Sequence, residues 1–144
     1  MIYNTIFNKL NALGFLNVWD HATLKVEGFM PLEIEVLRKT APLSSNPWKI
    51  ISVMHWYLQE GDVMRDPDME IRVYTNAKIA EALSYRQDGV PGVGTIFQEV
   101  YPEPGKINQK HKKELNVFLN QWLTNIKDQG FKYPESEVKK NDSD

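Results

Sequence analysis

Two adjacent segments in which apolar and polar side chains alternate, Met69–Tyr74 and Lys78–Tyr85, constrain the fold of this chain more than any other feature. Alternation with period two is the signature of strands with one buried face. Between them Asn76-Ala77 reads as a two-residue hairpin turn, since asparagine tolerates the positive φ such turns require. Counting outward from that turn sets Tyr74 opposite Ile79, Val73 opposite Ala80, Arg72 opposite Glu81 and Ile71 opposite Ala82. One face then collects Met69, Ile71, Val73, Ala80 and Ala82, whose small alanines allow a helix to approach closely. The other carries Glu70, Arg72, Tyr74, Ile79, Glu81, Leu83 and Tyr85. That set is too polar for a core and too aromatic for a plain solvated face. On a curved sheet it would be concave, as ligand sites usually are. The bland alternative is a wet face whose Arg72–Glu81 pair serves only register.

A helix must cover the apolar face, and the sequence supplies two. Leu115, Phe118, Leu119, Trp122, Leu123 and Ile126 recur at helical spacing, predicting an amphipathic helix over 108–129 stopped by Gly130. Its Trp122 stripe is expected above the alanines. Tyr3, Ile6, Phe7, Leu10 and Leu13 predict a second helix over 2–13, with Gly14 after it. Leu24 and Val26, then Leu32, Ile34 and Val36, alternate with charged residues around Gly28–Pro31 and read as a first hairpin. Residues 49–59 fit either a strand or a short helix; their β-branched and aromatic content and the flanking loops favour a strand. Residues 61–67 and 88–94 read as loops, and 95–101 as a final strand. The expectation is an α+β domain over 1–134: an antiparallel meander of about five or six strands, with the N- and C-terminal helices on one face. A polar, disordered tail is expected over 135–144.

Composition narrows the chemistry. With 144 residues, 42% apolar and 25% charged, the chain is an ordinary globular protein. It has no cysteine, which excludes disulfides, thiolate metal sites and a cysteine nucleophile and fits the cytoplasm. A net charge of -2 gives no long-range attraction to phosphate or anionic lipid. The start, Met-Ile-Tyr-Asn-Thr, lacks a signal-peptide pattern, and no apolar run approaches the roughly 20 residues needed to cross a bilayer. No membrane partner is expected.

Residues 69–87 with 96–130 resemble a YqiB-like bacterial family of unknown function. Its pattern is Arg-x-Tyr-x-x-Ala-x-x-Ala-Glu, then a strand, a proline-containing loop and a helix of the form Asn-x-Phe-Leu-x-x-Trp-Leu. The matching positions are Arg72, Tyr74, Ala77, Ala80, Glu81, Asn116, Phe118, Leu119, Trp122 and Leu123. The whole chain, including Gly-Asp-Val-Met-Arg-Asp-Pro at 61–67, is still more similar to a second family of unknown function carried on plasmids, phages and integrated elements of Bacteroidetes. It departs from the pattern in its 88–94 loop and its acidic turn. The resemblance implies the fold and a bacterial cytoplasmic setting, and no reaction.

Three chemistries are then weighed on the residues. The leading candidate is a non-enzymatic binding or accessory domain of mobile-element origin, holding a protein or small ligand with Tyr57, Arg72, Tyr74, Glu81, Tyr85 and Arg86. A metal-dependent hydrolase or nuclease would use His55, Asp62, Asp66 and Asp68. The segment is no EF-hand, since the glycine and glutamate positions are wrong and Pro67 stiffens it. A nucleic-acid accessory factor would use Lys106, Lys110, Lys112 and Lys113, cations that oppose the helix dipole where they stand. Gly89, Gly92 and Gly94 match no phosphate loop, and His21, His55 and His111 assemble no triad with a serine. No cofactor is expected.

Overall fold

The computed structural model describes residues 1–41 and 43–134; the expected tail at 135–144 lies outside them. The first helix, α1, spans Ile2–Ala12, and a single 3-10 turn follows at Phe15–Asn17. Six strands come next: β1 His21–Leu24, β2 Leu32–Lys39, β3 Trp48–Gln59, β4 Asp62–Tyr74, β5 Ile79–Val90 and β6 Gly94–Glu99. They form one sheet in sequence order, every neighbour antiparallel. The last helix, α2, spans Gln109–Asp128. The architecture is the α+β meander expected, with six strands.

The core lies between the sheet and the two helices. Leu32 and Ile34 from β2, Ile51 and Val53 from β3, and Met69, Ile71 and Val73 from β4 are all within 2% of full burial. Ile6 and Leu10 of α1 meet them, as do Leu119, Leu123 and Ile126 of α2. Each such aliphatic side chain contributes roughly 1.5–3 kcal/mol of transfer free energy. α2 begins where the sequence placed it because Asn108 caps it, its side chain accepting the His111 N–H at 3.0 Å.

The β4–β5 register is the one obtained by counting: Tyr74↔Ile79, Val73↔Ala80, Arg72↔Glu81 and Ile71↔Ala82. The turn, however, is a four-residue loop over 75–78, closed by the Lys78 N–H on the Tyr74 carbonyl at 2.9 Å. The positive φ falls on Lys78, not Asn76. Both readings leave Tyr74 facing Ile79, so the register survived a wrong turn type. The two-residue turn is elsewhere. Glu60 (φ 52) and Gly61 (φ 86) join β3 to β4 between the paired Gln59 and Asp62. Residues 62–67 therefore continue the hairpin instead of forming a loop. Similarly β5 runs on to Val90, leaving only 91–93 as the turn into β6.

Bulges reorient side chains in β2, where Leu37 is extra between Val36↔Ile51 and Arg38↔Ile50, and in β4 and β5. In β4 the pairs Met54↔Asp68 and Trp56↔Arg65 leave Asp66 and Pro67 opposite His55 alone. In β5 the pairs Glu70↔Ser84 and Ile71↔Ala82 leave Leu83 extra. Beyond that bulge the alternation changes phase. Tyr85 pairs with Met69 and turns toward α2, its ring 5.3 Å from that of Phe118. Its expected place opposite Asp68 goes to Arg86, and Ser84 takes the place opposite Glu70 that counting gives to Leu83.

The alanines do let an element approach closely, but it is not Trp122. Asn116 of α2 accepts the Ala82 N–H at 2.8 Å and donates to the Lys112 carbonyl at 2.7 Å. Trp122 sits six residues further on, 5.9 Å from the ring of His55.

Candidate functional site

The face opposite the helices is built from two neighbouring cross-strand rows. One runs Glu35, Ser52, Glu70, Ser84, Glu99 through β2 to β6. The other runs Arg38, Ile50, Arg72, Glu81. Because side chains two apart on a strand share a face, Glu70 and Arg72 bring the rows side by side. Ile50, 2% exposed yet outside the helix-side core, is the apolar floor beneath the flanking arginines.

Arg72 is the centre of this face. Its guanidinium lies 5.5 Å from the Trp48 ring and 5.9 Å from the Tyr101 ring, and reaches the Tyr74 hydroxyl at 3.5 Å. Its Nε is buried and has no hydrogen-bond partner among the described residues. The Tyr101 hydroxyl donates to the Glu81 carboxylate. Burial first, and then that carboxylate, hold the Tyr101 phenol protonated well above the usual tyrosine range. A cavity of about 180 Å³ opens beside Arg72, lined by Arg38, Glu70, Leu83, Ser84, Phe97, Glu99 and Tyr101. A second hollow, bounded by Pro102–Ile107, shares Arg72 and Tyr101 with it. Burial raises the Glu70 carboxyl above its ordinary value, and the nearby carboxylates of Asp68 and Glu99 add to this while Arg38 opposes it.

Of the six expected binding residues, Arg72, Tyr74 and Glu81 come together here. Tyr85 is on the helix side, as the β5 bulge dictates. Tyr57 lies on the outer part of the β3–β4 hairpin, against Met64 and Gly89. Arg86 belongs to a separate network. Asp88 takes the Arg65 N–H at 3.1 Å, the Thr95 hydroxyl at 3.1 Å and the Arg86 Nε at 3.4 Å. Burial alone would raise the Asp88 carboxyl; these donors together hold it below its ordinary range. Trp48, Tyr101, Arg38 and Glu99 were missed. The alternation Phe97, Glu99, Tyr101 was the available signal for two of them.

The expected metal ligands are split between the two faces of the sheet. Asp68 is on the Arg72 side, accepting the Ser52 hydroxyl at 2.6 Å and facing Arg65 at 4.0 Å. Asp62 is exposed beside the Glu60-Gly61 turn. His55 is 5% exposed on the helix side, between the Trp122 and Phe131 rings, its Nδ1 3.2 Å from both the Met30 and Pro31 carbonyls. Among the described residues no three His, Asp or Glu side chains are grouped as metal ligands. The lysines near the start of α2 are spread and partly engaged: Lys106 with Glu103 at 3.3 Å, Lys110 with Glu114 at 4.0 Å, and Lys112 over the Tyr3 ring at 5.8 Å. Lys113 is exposed.

The buried histidine gives a pH-dependent stability with a definite sign. Burial lowers the His55 pKa below its ordinary 6.5, outweighing its two carbonyl partners and the nearby Asp66 carboxylate, which raise it. Above that value folded and unfolded chains both hold it neutral, and the full stability is present. As pH falls below 6.5 the unfolded chain takes the proton first, so stability declines, by at most about 1.4 kcal/mol per pH unit. Urea midpoints should therefore drop between pH 7 and 5, and His55→Phe should flatten that slope. An unchanged slope in the variant would remove His55 as its source.

No helix among the described residues is long and apolar enough to cross a membrane. No curated protein and no solved structure matches the chain. A family model described as Domain of unknown function (DUF6908) matches residues 2–132. That span takes in both helices and all six strands, including the Arg72 face, and the chain belongs to that family.

Proposed function

We propose that this chain is a non-enzymatic binding or accessory domain of bacterial mobile-element origin, working in the cytoplasm, that holds a protein or small ligand on its Arg72 sheet face. The observation that carries this reading is the Arg72 side chain, which lines a polar cavity while its guanidinium is held against Trp48 and Tyr101 with one hydrogen bond, to the Tyr74 hydroxyl. A side chain fixed by two rings but short of acceptors is prepared for a partner that supplies one. Structural duty alone would favour a paired arginine, as Arg65 and Arg86 are paired through Asp88.

The test is an NMR titration of the full chain with a library of small polar molecules: amino acids, sugars, nucleotides and dicarboxylates. Amide shifts should cluster on Arg72, Ser84, Glu99 and Tyr101. Arg72→Ala should abolish them while altering stability by only about 1–2 kcal/mol, the worth of two partly exposed cation–π contacts. Shifts confined to the 106–113 segment, or a loss of several kcal/mol in the variant, would overturn the reading.

A further inference from the structure

The cavity beside Arg72 has a charge pattern that selects among small ligands. Two guanidinium groups, Arg38 and Arg72, and two carboxylates, Glu70 and Glu99, line it together. Opposite charges sharing a partly desolvated hollow ordinarily collapse into ion pairs. Here none of the four lies within 4.0 Å of an opposite charge among the described residues; the ion pairs of this face are formed by other side chains, at Arg65, Arg86, Asp68 and Asp88. A lone anion would be repelled by the two carboxylates, and a lone cation by the two arginines. A ligand carrying both signs on neighbouring atoms satisfies all four.

Resting on the binding reading above, we propose that this cavity takes a free amino acid or a close zwitterionic relative. Its carboxylate is held by Arg72 with Arg38, and its ammonium by Glu70 with Glu99. The Arg72 fork suits a carboxylate because two parallel N–H donors match its two oxygens. Glu70 suits an ammonium because burial has raised its carboxyl pKa, and a bound cation reverses that effect. At about 180 Å³ the hollow has the bulk of about six waters, which fits the zwitterionic head of a small metabolite and not a nucleotide. The adjoining hollow under Pro102–Ile107 leaves room for a side chain.

Isothermal titration calorimetry on the full chain with each free L-amino acid tests this, followed by the N-acetyl and carboxamide forms of the tightest binder. Both blocked forms should bind at least about tenfold more weakly, a loss of about 1.4 kcal/mol. Arg72→Gln should weaken the free acid by a similar factor but leave the carboxamide nearly unaffected. Glu99→Gln should likewise weaken the free acid but leave the N-acetyl form nearly unaffected; Glu99 is exposed on β6, so this variant serves if the arginine variant fails to fold. Absence of binding by every amino acid at about 10 mM, or blocked forms binding as well as free ones, would overturn the proposal. If another library molecule still shifts the Arg72-face amides in that event, the binding reading stands and only the zwitterion falls.

Discussion

Asn116→Leu is expected to destabilise the chain by about 2–3 kcal/mol, although it replaces a polar residue in a largely apolar contact layer with a hydrophobic one of similar size. Asn116 is 2% exposed, on the face of α2 that meets β5. The β5 bulge removes the Ala82 N–H from the ordinary ladder, and the Asn116 carboxamide oxygen takes it at 2.8 Å. Leucine would leave that donor without its partner in a site where Ala82 is fully buried. A buried orphan of this kind costs about 1–3 kcal/mol, beyond the lost bond from the carboxamide nitrogen to the Lys112 carbonyl. The urea midpoint should fall with an unchanged denaturant slope, the mark of a stability change without a change in unfolded-state compactness. Val117→Ala, one residue on and 55% exposed, should stay within about 0.5 kcal/mol of the parent. A neutral Asn116→Leu would mean that the bulge finds another acceptor and that α2 is held by apolar contact alone.

Asn116 also marks where sequence reading stopped short. The Leu115–Ile126 stripe named the buried face of α2 because helical spacing is a property of neighbouring residues. Asn116 lies within that stripe, and its job depends on a bulge in the fifth strand of the sheet. The cross-strand partners of Arg72 and Ile71 were legible by counting because an even shift in turn length preserves the facing pair at Tyr74 and Ile79. The β5 bulge was not legible. One extra residue at Leu83 is invisible to a period-two pattern that reads Leu83 and Tyr85 as equally well placed. It moved Tyr85 to the helices and put Ser84 into the cavity. The 62–67 segment was misread because aspartate, proline and glycine are turn-formers in general. Here Glu60 and Gly61 make the turn, and Pro67 is accommodated where the β4 bulge leaves ladder positions unpaired. The polar-aromatic character of the Arg72 face was visible from β4 and β5 alone. Its cavity was not, since Arg38, Glu99 and Tyr101 arrive from elements far apart in the chain.

Gly14→Ala is expected to be at least as damaging, at about 2–4 kcal/mol, with strain and a backbone collision acting together. Gly14 ends the α1 region at φ +80, where any L side chain is strained by roughly 1–2 kcal/mol. A Cβ there would stand 2.5 Å from the Tyr133 carbonyl oxygen and 3.3 Å from the Tyr133 Cβ. The first of these is main chain and cannot swing aside. The segment it would displace is held by the Tyr133 N–H on the Leu13 carbonyl at 2.9 Å, and it carries Phe131, 2% exposed, against His55 and Phe29. Loosening it therefore opens the end of the core that buries the histidine. Gly28→Ala is the internal comparison: φ is +90, but nothing lies within 4 Å of the added methyl, so backbone strain acts alone. Thermal melts should show Gly14→Ala losing at least about 1 kcal/mol more than Gly28→Ala, and hydrogen exchange at the Tyr133 amide should accelerate only in the former. Equal losses in the two variants would mean that the chain after α2 moves aside freely and does not brace α1.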